Sequence, residues 1–404
     1  MPLTLLSSTG RGDTQLHAEC GKCGLHKRCR RPRLPVSGSG EKKLMVVTNY
    51  PGLDEEVNGV HLSGKHGRLV TELLRKYGVD LRRDCWTTSA FICRPINPLP
   101  PGVIGHCRPN LVNAVKELKP IAILLLGGVA CQGLIPHLTD EQVGSEVRWA
   151  GYKIPSIKLN AWVCPTFHPS SLDDEKTKVM AGMLERHLEA FCAIKQPPHE
   201  CVPDYQGRVQ LCYGEEEAKL LLHDMCARTS GIAFDFETTT LKPDGPKARI
   251  VTCSVSDGRT SIAFPWRGPI VKLMKEILSN PKIKKIGGNI KFEDRWARRK
   301  LGVEVKGWFW DTMLGAHLLE NNTKEKHITS IKFQALVHLG VESWDSVVGP
   351  YLKSQGGNEK LGNAPNRIHQ VDMESLLRYN ALDSLYEYLV AKIQFKRLKE
   401  LARR

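Results

Sequence analysis

The chain lacks the features that would place it in a membrane or an export pathway. No apolar run approaches the roughly 18 residues that a membrane-spanning helix needs. The first residues, MPLTLLSSTGRGD, do not combine a basic segment with a long apolar one, so we predict no signal peptide. These absences predict a cytoplasmic protein with no membrane partner.

Acidic residues are scarce relative to basic ones. The chain has 43 Asp and Glu against 58 Lys and Arg, which leaves a formal net charge of +15. Such an excess favours a polyanionic partner, nucleic acid first, over the alternative of a merely basic, soluble protein. Thirteen cysteines in a chain without an export signal indicate buried apolar side chains or metal ligands rather than disulfides.

A length of 404 residues predicts more than one domain. The segment KQPPHECVPDYQGR (195–208), rich in proline and polar residues, is the clearest boundary. We therefore predict a first domain over 1–195, a linker over 196–208 and a second domain over 209–404.

The two halves differ in their pattern of strands and helices. In the first half, buried strands alternate with helices, which predicts an α/β fold with a parallel sheet between helices. Its predicted strands are 43–49, 85–91, 121–127 and 161–167, and its predicted helices are 67–78, 109–120 and 175–195. In the second half, a helix at 214–229, a strand at 231–241 and a hairpin at 249–266 precede mostly helical sequence with one more strand near KKIGGN (284–289), which predicts a mixed sheet.

The segment FDFETTTL places two carboxylates two residues apart on a predicted strand. Because strand side chains alternate, Asp235 and Glu237 share one face while Phe234 and Phe236 point into a core. Adjacent carboxylates repel each other, and a divalent cation compensates them. Their oxygen ligands suit Mg²⁺ or Mn²⁺. Acids at a strand end without a metal are the alternative.

Two later segments supply further polar side chains. GGNIKFEDRW (287–296) carries Asn289, Glu293 and Asp294 at a predicted helix start. YNALDSLYEYL carries Tyr379 and Asp383 one turn apart on a helix, a spacing that an ordinary amphipathic helix also shows.

In this order, the three segments resemble the DnaQ-like 3′→5′ exonucleases of the tyrosine subtype, and most closely the proofreading domain of family A DNA polymerases. The resemblance covers about residues 208–400 and implies a ribonuclease-H-like fold. It implies that two Mg²⁺ or Mn²⁺ ions are held by Asp235, Glu237 and Asp383, with Tyr379 orienting the attacking water. It also implies that Asn289 contacts DNA, and that single-stranded 3′ ends release nucleoside 5′-monophosphates.

One position departs from the family pattern. An Asp normally stands four residues after the Asn of the second segment, but here that residue is Glu293, followed by Asp294. Helical register favours Glu293, and Asp294 is the alternative if the helix begins one residue later. Because the sequence ends at Arg404, soon after these helices, we expect the DNA polymerase that it serves to be a separate chain, in a bacterial cell or a phage-infected host.

The first half contains four cysteines with the spacing of metal ligands. Cys20 and Cys23 form a C-x2-C pair, and Cys93 and Cys107 follow further along the chain. Four thiolates suit an iron–sulfur cluster or a zinc site. Scattered buried cysteines are the alternative.

Motifs around these cysteines resemble the iron–sulfur uracil-DNA glycosylases of the family 4 type, over about residues 15–195. The motifs are LMVVTNYPG (44–52), GVHLSG (59–64), CWTTSAFICRP (85–95) and FHPSSL (167–172). The resemblance implies a four-stranded parallel sheet between helices and a [4Fe–4S] cluster bound by Cys20, Cys23, Cys93 and Cys107.

The residues at the glycosylase-like site depart from the family together. Asn49 replaces an acid, Leu62 replaces a stacking Phe, and Ser89 replaces an edge-reading Asn. Tyr50 puts a ring where the family has a small residue, and only His168 is retained. We therefore expect no uracil excision from this domain.

The same domain begins a predicted helix with Lys65, His66 and Arg68. They are predicted to cradle a DNA phosphate, or else to form a solvated basic helix start. We thus expect an exonuclease fused to a DNA-binding or docking domain. A bifunctional repair enzyme with an active glycosylase and a non-catalytic polymerase accessory subunit remain the alternatives.

Overall fold

The structure is a computed structural model that describes residues 18–140, 142–173, 180–320, 325, 327–353 and 363–403. The chain divides into two compact units, Met1–Val202 with Leu339–Glu342, and Pro203–His338 with Ser343–Arg404. Within the described ranges, no helix is both long and apolar enough to cross a membrane. The predicted linker bounds of 196–208 stay a prediction.

The first unit contains a five-stranded sheet in the order β2-β1-β3-β5-β4. Its strands are β1 (Leu44–Thr48), β2 (Cys85–Ser89), β3 (Ala122–Leu126), β4 (Ile154–Ser156) and β5 (Ala161–Thr166). The four predicted strands pair in parallel, and β4 adds an antiparallel edge that the sequence analysis missed. A three-residue strand with a central proline is too short to show a strand pattern.

Helices flank this sheet. They are α1 (Cys20–Cys23), α2 (Leu53–Asn58), α3 (Lys65–Lys76), α4 (Val103–Leu118), α5 (Gly128–Leu134) and α6 (Ala181–Cys192). The strands β1 and β3 are buried at every residue, as expected for central parallel strands covered on both faces. Val70 and Leu74 of α3 and Leu184 and Leu188 of α6 complete a core on one face. The predicted α/β sandwich is therefore confirmed.

The second unit contains a six-stranded mixed sheet in the order β11-β10-β7-β8-β9-β6. Its strands are β6 (Val209–Leu211), β7 (Gly231–Thr238), β8 (Ile250–Ser256), β9 (Ser261–Pro265), β10 (Lys284–Gly287) and β11 (Trp308–Asp311). The central strands β7, β8 and β9 are antiparallel, and β10, β11 and β6 add parallel pairs. This arrangement confirms the predicted ribonuclease-H-like mixed sheet.

The helices of the second unit place the site residues. They are α7 (Glu215–Arg228), α8 (Ile270–Ser279), α9 (Ile290–Trp296), α10 (Thr312–Leu319), α11 (Ile331–Leu339), α12 (Gly349–Leu352) and α13 (Met373–Ala402). The Asp372 carboxylate caps the N-terminus of α13 by accepting from the backbone N–H of Ser375 at 2.8 Å. The helix α13 packs against β7, β8 and β9 along much of its length.

Asp311 holds the start of two helices at once. Its carboxylate accepts hydrogen bonds from Met313 N and Leu314 N at the start of α10. It also accepts from Asn289 N and Ile290 N at the start of α9. Because one carboxylate serves both helix starts, α9 and α10 leave the sheet from neighbouring points, and α9 enters with Asn289 in the left-handed region at φ 56°.

Candidate functional site

Three carboxylates from two elements converge in the second unit. Asp235 and Glu237 lie on β7, and Asp383 lies on α13. One ligand oxygen from each carboxylate lies within 4.8 Å of the other two. The alternation predicted for β7 is present, because Phe234 and Phe236 are buried in the core on the opposite face.

These three side chains line a cavity of about 650 Å³. Burial, and next the Asp383 charge, raises the pKa of Asp235 to about 8. Burial likewise raises the pKa of Asp383 to about 6 and that of Glu237 well above its usual value. The pKa shifts mean that the cluster holds less negative charge than three ionised carboxylates until a cation compensates it.

The donor set fits a divalent metal. Three carboxylates, those of Asp235, Glu237 and Asp383, bring one oxygen each close to the other two. Carboxylate oxygens are the ligands that Mg²⁺ and Mn²⁺ prefer. Two further carboxylates line the same cavity, Glu293 and Glu387. Each has its Oε2 buried without a hydrogen-bond partner among the described residues. Unpartnered buried carboxylate oxygens are costly unless a ligand or cation satisfies them.

The cavity distinguishes Glu293 from its neighbour Asp294. Glu293 is 2% exposed and lines the cavity. Asp294 turns away, where its carboxylate accepts from Arg298 Nε at 2.6 Å and from the backbone N–H of Val305. Asn289, the other residue predicted on this segment, also lines the cavity and is exposed.

Tyr379 lies beside Asp383 in the same cavity. Burial, followed by the charges of Asp383, Glu237 and Asp235, raises the pKa of the Tyr379 phenol well above its usual range. The hydroxyl is therefore neutral at physiological pH, and a neutral phenol can donate a hydrogen bond. The Lys332 ammonium lies 5.5 Å from the centre of the Tyr379 ring and pairs with Asp345.

Sequence reasoning missed the residues that hold the carboxylates in place. Asn380 Nδ2 donates to Asp235 Oδ2 at 2.7 Å, and Trp344 Nε1 donates to Asp383 Oδ1 at 2.9 Å. The Glu387 carboxylate accepts from Gly288 N at 2.9 Å. Asn380 and Glu387 flank Asp383 on α13, so helical spacing carried a signal for them. Trp344 lies in an irregular segment, where spacing carries none.

In the first unit, the four predicted cysteines line one small cavity. Cys20, Cys23, Cys93 and Cys107 all contribute to its wall. Two N–H groups point at sulfur: Arg33 N to Cys93 Sγ and Asn110 Nδ2 to Cys107 Sγ, both at 3.3 Å. Burial raises the pKa of the Cys93 thiol to about 12 and that of the Cys107 thiol above its usual value.

These residues fit a metal or cluster that is bound by thiolates. The cavity wall also contains His26, whose Nδ1 is buried without a hydrogen-bond partner in the described part of the chain. Hydrogen bonds to sulfur and burial are features of iron–sulfur sites, while four thiolates alone also suit zinc. A fifth cysteine, Cys29, packs against the small apolar core that contains Cys93. No spacing rule had pointed to it.

The glycosylase-like mouth is a separate cavity of about 390 Å³, lined by Asn49, Tyr50, Leu62 and His168. The Asn49 side chain makes a structural hydrogen bond, because its Oδ1 accepts from the backbone N–H of Ala130 at 3.1 Å. Tyr50 stacks on Phe91 with ring centroids 5.2 Å apart.

Ser89 does not line this cavity. Its hydroxyl donates at 3.0 Å to Nδ1 of the fully buried His61, whose Nε2 faces the Leu34 carbonyl at 3.3 Å. Because a carbonyl only accepts, Nε2 carries the proton and Nδ1 is the acceptor. Burial lowers the pKa of His61 to about 4, so the ring stays neutral.

His168 lines the cavity but is held from both sides. Its Nε2 lies 3.2 Å from Thr48 Oγ1, and its Nδ1 lies 2.7 Å from Ser170 Oγ. Burial lowers its pKa to about 4, which makes it a neutral group in the cavity. Asp54 and Glu55 also line the wall, and sequence reasoning had not singled them out.

The basic residues predicted to cradle phosphate begin α3. Lys65 Nζ and His66 Nε2 both contact the Asp173 carboxylate, at 2.6 and 2.8 Å, and both line the mouth. Arg68 follows one turn into α3 and is exposed. A phosphate at this helix start would therefore compete with Asp173 for Lys65 and His66.

Two family models match the chain, one on each half. The uracil DNA glycosylase superfamily matches residues 35–192, and a family described as 3'-5' exonuclease matches residues 214–398. The chain therefore belongs to the uracil-DNA glycosylase superfamily in its N-terminal half and carries a DnaQ-like 3′–5′ exonuclease domain, with an acidic triad, in its C-terminal half.

Several relatives of the N-terminal half are type-4 uracil-DNA glycosylases. The type-4 uracil-DNA glycosylase of Pyrobaculum aerophilum is 33% identical over 183 residues, which are 44% of this chain and 90% of the relative. A DNA polymerase of Bacillus phage SP01 is 24% identical over 321 residues, which are 71% of this chain and 34% of that protein. Among solved structures, Brucella melitensis NrnC with bound Mg²⁺ aligns at 21% identity and a TM-score of 0.32, over 44% of this chain and 77% of NrnC.

Proposed function

We propose that the C-terminal half is a metal-dependent 3′→5′ DNA exonuclease that releases nucleoside 5′-monophosphates from single-stranded 3′ ends. The observation that carries this proposal is the convergence of Asp235, Glu237 and Asp383 within 4.8 Å, in a cavity that also contains Tyr379. This set of residues corresponds to the tyrosine-type exonuclease motifs in chain order.

Asp235, Glu237 and Asp383 would hold two Mg²⁺ or Mn²⁺ ions. When bound, such ions stabilise the negative charge that develops on the phosphate during hydrolysis. The side chains of this chain orient the ligands and complete the cavity wall. Asn380 and Trp344 fix the orientation of two of the carboxylates, and Glu293 provides a further carboxylate at the cavity wall.

Tyr379 would position the attacking water. Its neutral hydroxyl lies in the same cavity as Asp383, and a phenol oxygen can accept a hydrogen bond from water while its proton is donated elsewhere. The raised pKa of this phenol keeps it from acting as the base at neutral pH. Asn289, exposed at the cavity wall, would contact the strand near its 3′ end.

We propose that this activity serves replication proofreading for a DNA polymerase on a separate chain. The match to the exonuclease family and the similarity to a phage DNA polymerase over 71% of this chain support the link to a polymerase. The N-terminal half would bind DNA or dock the polymerase, in the cytoplasm of a bacterial cell or an infected host.

We propose that the N-terminal domain does not excise uracil. Asn49 has no acidic group and is tied to the start of α5, and the Ser89 hydroxyl is committed to His61. Leu62 supplies no aromatic face for a flipped base. Cys20, Cys23, Cys93 and Cys107 would hold a [4Fe–4S] cluster that stabilises the fold of this half.

The exonuclease proposal is tested with a single-stranded DNA and an RNA of the same sequence, each in Mg²⁺. Asp235→Ala should slow nucleotide release by at least about a hundredfold, because charge stabilisation at the phosphate dominates such reactions. Asp224→Ala, an exposed acid on α7, is the matched control. Unchanged release by Asp235→Ala would contradict the proposal, and faster degradation of the RNA would contradict the assignment to DNA.

An active glycosylase remains the rival function, and the open cavity with His168 is the observation that favours it. Asp235→Ala protein, incubated with a uracil-containing duplex, removes the exonuclease background. Alkali-labile sites that form with this protein and disappear on adding His168→Ala would support base excision. Their absence would support a domain that binds without excising.

A further inference from the structure

A second concave surface of the exonuclease unit lies away from the carboxylates. It has a volume of about 420 Å³ and is formed where the turn after β8, the strand β11 and the C-terminal part of α13 meet. We call it the α13 groove. It shares no lining residue with the triad cavity. Its wall includes Arg259, Phe309, Tyr388, Lys392 and Phe395.

Aromatic rings form the apolar part of the α13 groove. Phe309 is 38% exposed although it stands on a strand, and its ring meets that of Phe395 edge to face at a centroid distance of 5.1 Å. The Tyr388 ring lies against the turn at Gly258, where an added Cβ would approach the ring to 2.3 Å. The groove is therefore walled by rings that the core does not fully bury.

Cations surround these rings. Lys284 Nζ lies 4.6 Å from the centre of the Phe309 ring, and Lys399 Nζ lies 4.4 Å from that of Phe395. Arg259 and Lys392 are exposed on the wall. These four cations make no ion pair with a carboxylate in the described part of the chain.

The acidic residue in the wall of the α13 groove, Asp257, does not neutralise these four cations. Asp257 is buried, and its carboxylate accepts from Arg228 Nε at 2.8 Å. The groove thus offers unpaired positive charge next to partly exposed aromatic faces.

We propose that the α13 groove binds a single-stranded segment of nucleic acid, apart from the 3′ end held at the triad. Bases would stack on the exposed aromatic rings while phosphates lie near Arg259, Lys284 and Lys392. Interleaved rings and cations are the combination that binds single strands without sequence preference. An acidic peptide would use the cations but not require stacking faces, which makes it the less complete match.

The spacing along α13 sets a length requirement. Lys392 follows Asp383 by nine residues of α13, which is about 14 Å along the helix axis and about two and a half turns around it, so the path between the two sites is at least about 14 Å. A stacked strand rises about 3.4 Å per nucleotide, so a strand that occupies both sites must exceed about four nucleotides. A trinucleotide would occupy the triad cavity alone.

The test measures binding and hydrolysis with the full chain. Binding of 5′-labelled dT20 is followed by fluorescence anisotropy in EDTA, which prevents cleavage, and hydrolysis of dT3 is followed in Mg²⁺. Phe309→Ala with Lys392→Gln should raise the Kd for dT20 about tenfold, from loss of a stacking face and a phosphate contact. The rate of dT3 hydrolysis should be unchanged.

Controls separate the groove from general effects. Lys272→Gln with Leu220→Ala removes a matched charge and a 71%-exposed apolar side chain elsewhere, and should leave the Kd unchanged. Arg259→Glu with Lys392→Glu tests the same surface without removing apolar packing, in case Phe309→Ala fails to fold. An unchanged Kd for dT20 in both groove variants would overturn the proposal. So would an acidic peptide whose binding is weakened by the groove substitutions while the Kd for dT20 stays the same. Absence of dT3 hydrolysis by the unmodified protein would instead contradict the proposed function.

Discussion

The side-chain amide of Asn380 joins the two elements of the acidic triad. Its Nδ2 donates to Asp235 Oδ2 at 2.7 Å, while its Oδ1 accepts from Thr252 Oγ1 at 3.0 Å. Asn380 is fully buried, next to Tyr379 on α13. The amide therefore fixes both the orientation of a triad carboxylate and the position of α13 over the sheet.

Replacing Asn380 should weaken the exonuclease without abolishing its fold. Asn380→Ala leaves the Asp235 carboxylate without its donor, and loss of such a supporting bond costs about 10- to 100-fold in metal affinity or activity. The measurement is the rate of nucleotide release as a function of Mg²⁺ concentration, with Arg378→Ala on the exposed face of the same helix as control. Equal rates for the two variants would contradict a positioning role for Asn380.

Glu293 and Asp294 form a matched pair for the second motif. Glu293 lines the triad cavity, whereas Asp294 is paired with Arg298 outside it. Glu293→Gln should therefore lower the rate of nucleotide release at least about tenfold, because a carboxylate near the phosphate is lost. Asp294→Asn should keep the rate and lower the thermal stability slightly. A lower rate in Asp294→Asn and an unchanged rate in Glu293→Gln would show that Asp294 is the functional carboxylate of the second motif.

Metal affinity should depend on pH near neutrality. The pKa of Asp235 is raised to about 8 and that of Asp383 to about 6, so protons occupy these groups below those pH values. Binding of a divalent cation must release them, and the apparent affinity for Mg²⁺ should rise with pH between about 6 and 8.

Calorimetric Mg²⁺ titrations in two buffers of different ionisation enthalpy would report the released protons directly. Asp235→Asn should reduce the number released. An affinity that does not change between pH 6 and 8 would contradict this account of the triad.

The stability of the N-terminal unit should fall in mild acid because of His61. Its pKa is lowered by burial from 6.5 to about 4, so the unfolded state binds the proton more tightly than the folded state. The stability that the neutral, buried His61 ring contributes is fully present above pH 6.5, and it declines as the pH falls toward 4.

Between pH 7 and pH 5, this histidine should cost up to about 2 kcal/mol of unfolding free energy. Denaturant unfolding at the two pH values, in the unmodified chain and in His61→Gln, measures the difference. The pH dependence should shrink in the variant, and identical curves for both proteins would show that His61 is not the responsible group.

The four-cysteine cavity should hold iron and sulfide. Anaerobically purified protein should contain about four iron and four acid-labile sulfide per chain, the content of one [4Fe–4S] cluster. Cys93→Ser should lose both and destabilise the N-terminal half, whereas the exposed Cys201→Ser should keep them. Zinc in place of iron would contradict the cluster assignment.

Much of each fold was predictable because its signals are local. The four parallel strands and the helices α3, α4 and α6 follow from apolar runs, and the β7 carboxylates follow from strand alternation. The helix α4 begins at Val103, six residues before the predicted 109, and α2 and α5 were not predicted. Residues 175–179 of the predicted helix 175–195 lie outside the described residues. The strands β4 and β6 have three residues each and were missed, since strands this short carry no measurable period. The fold class was correct because the missed strands lie at sheet edges.

The candidate sites were only partly predictable. Motif order pointed to Asp235, Glu237, Tyr379 and Asp383, but not to Trp344, which reaches Asp383 from an irregular segment. The packing of Cys29 against the apolar core that contains Cys93 was also missed. In each case the contact joins segments whose spacing along the chain follows no rule.

The sequence by itself determined which residues share a face of each strand and helix. That sufficed to put Asp235 beside Glu237 and Tyr379 one turn from Asp383, because backbone periodicity is a local property. The tertiary structure alone decided which faces meet. It set the choice of Glu293 over Asp294 at the cavity, the commitment of Ser89 to His61 and the meeting of Phe309 with Phe395 in the α13 groove. These depend on packing between distant segments, which no local pattern encodes.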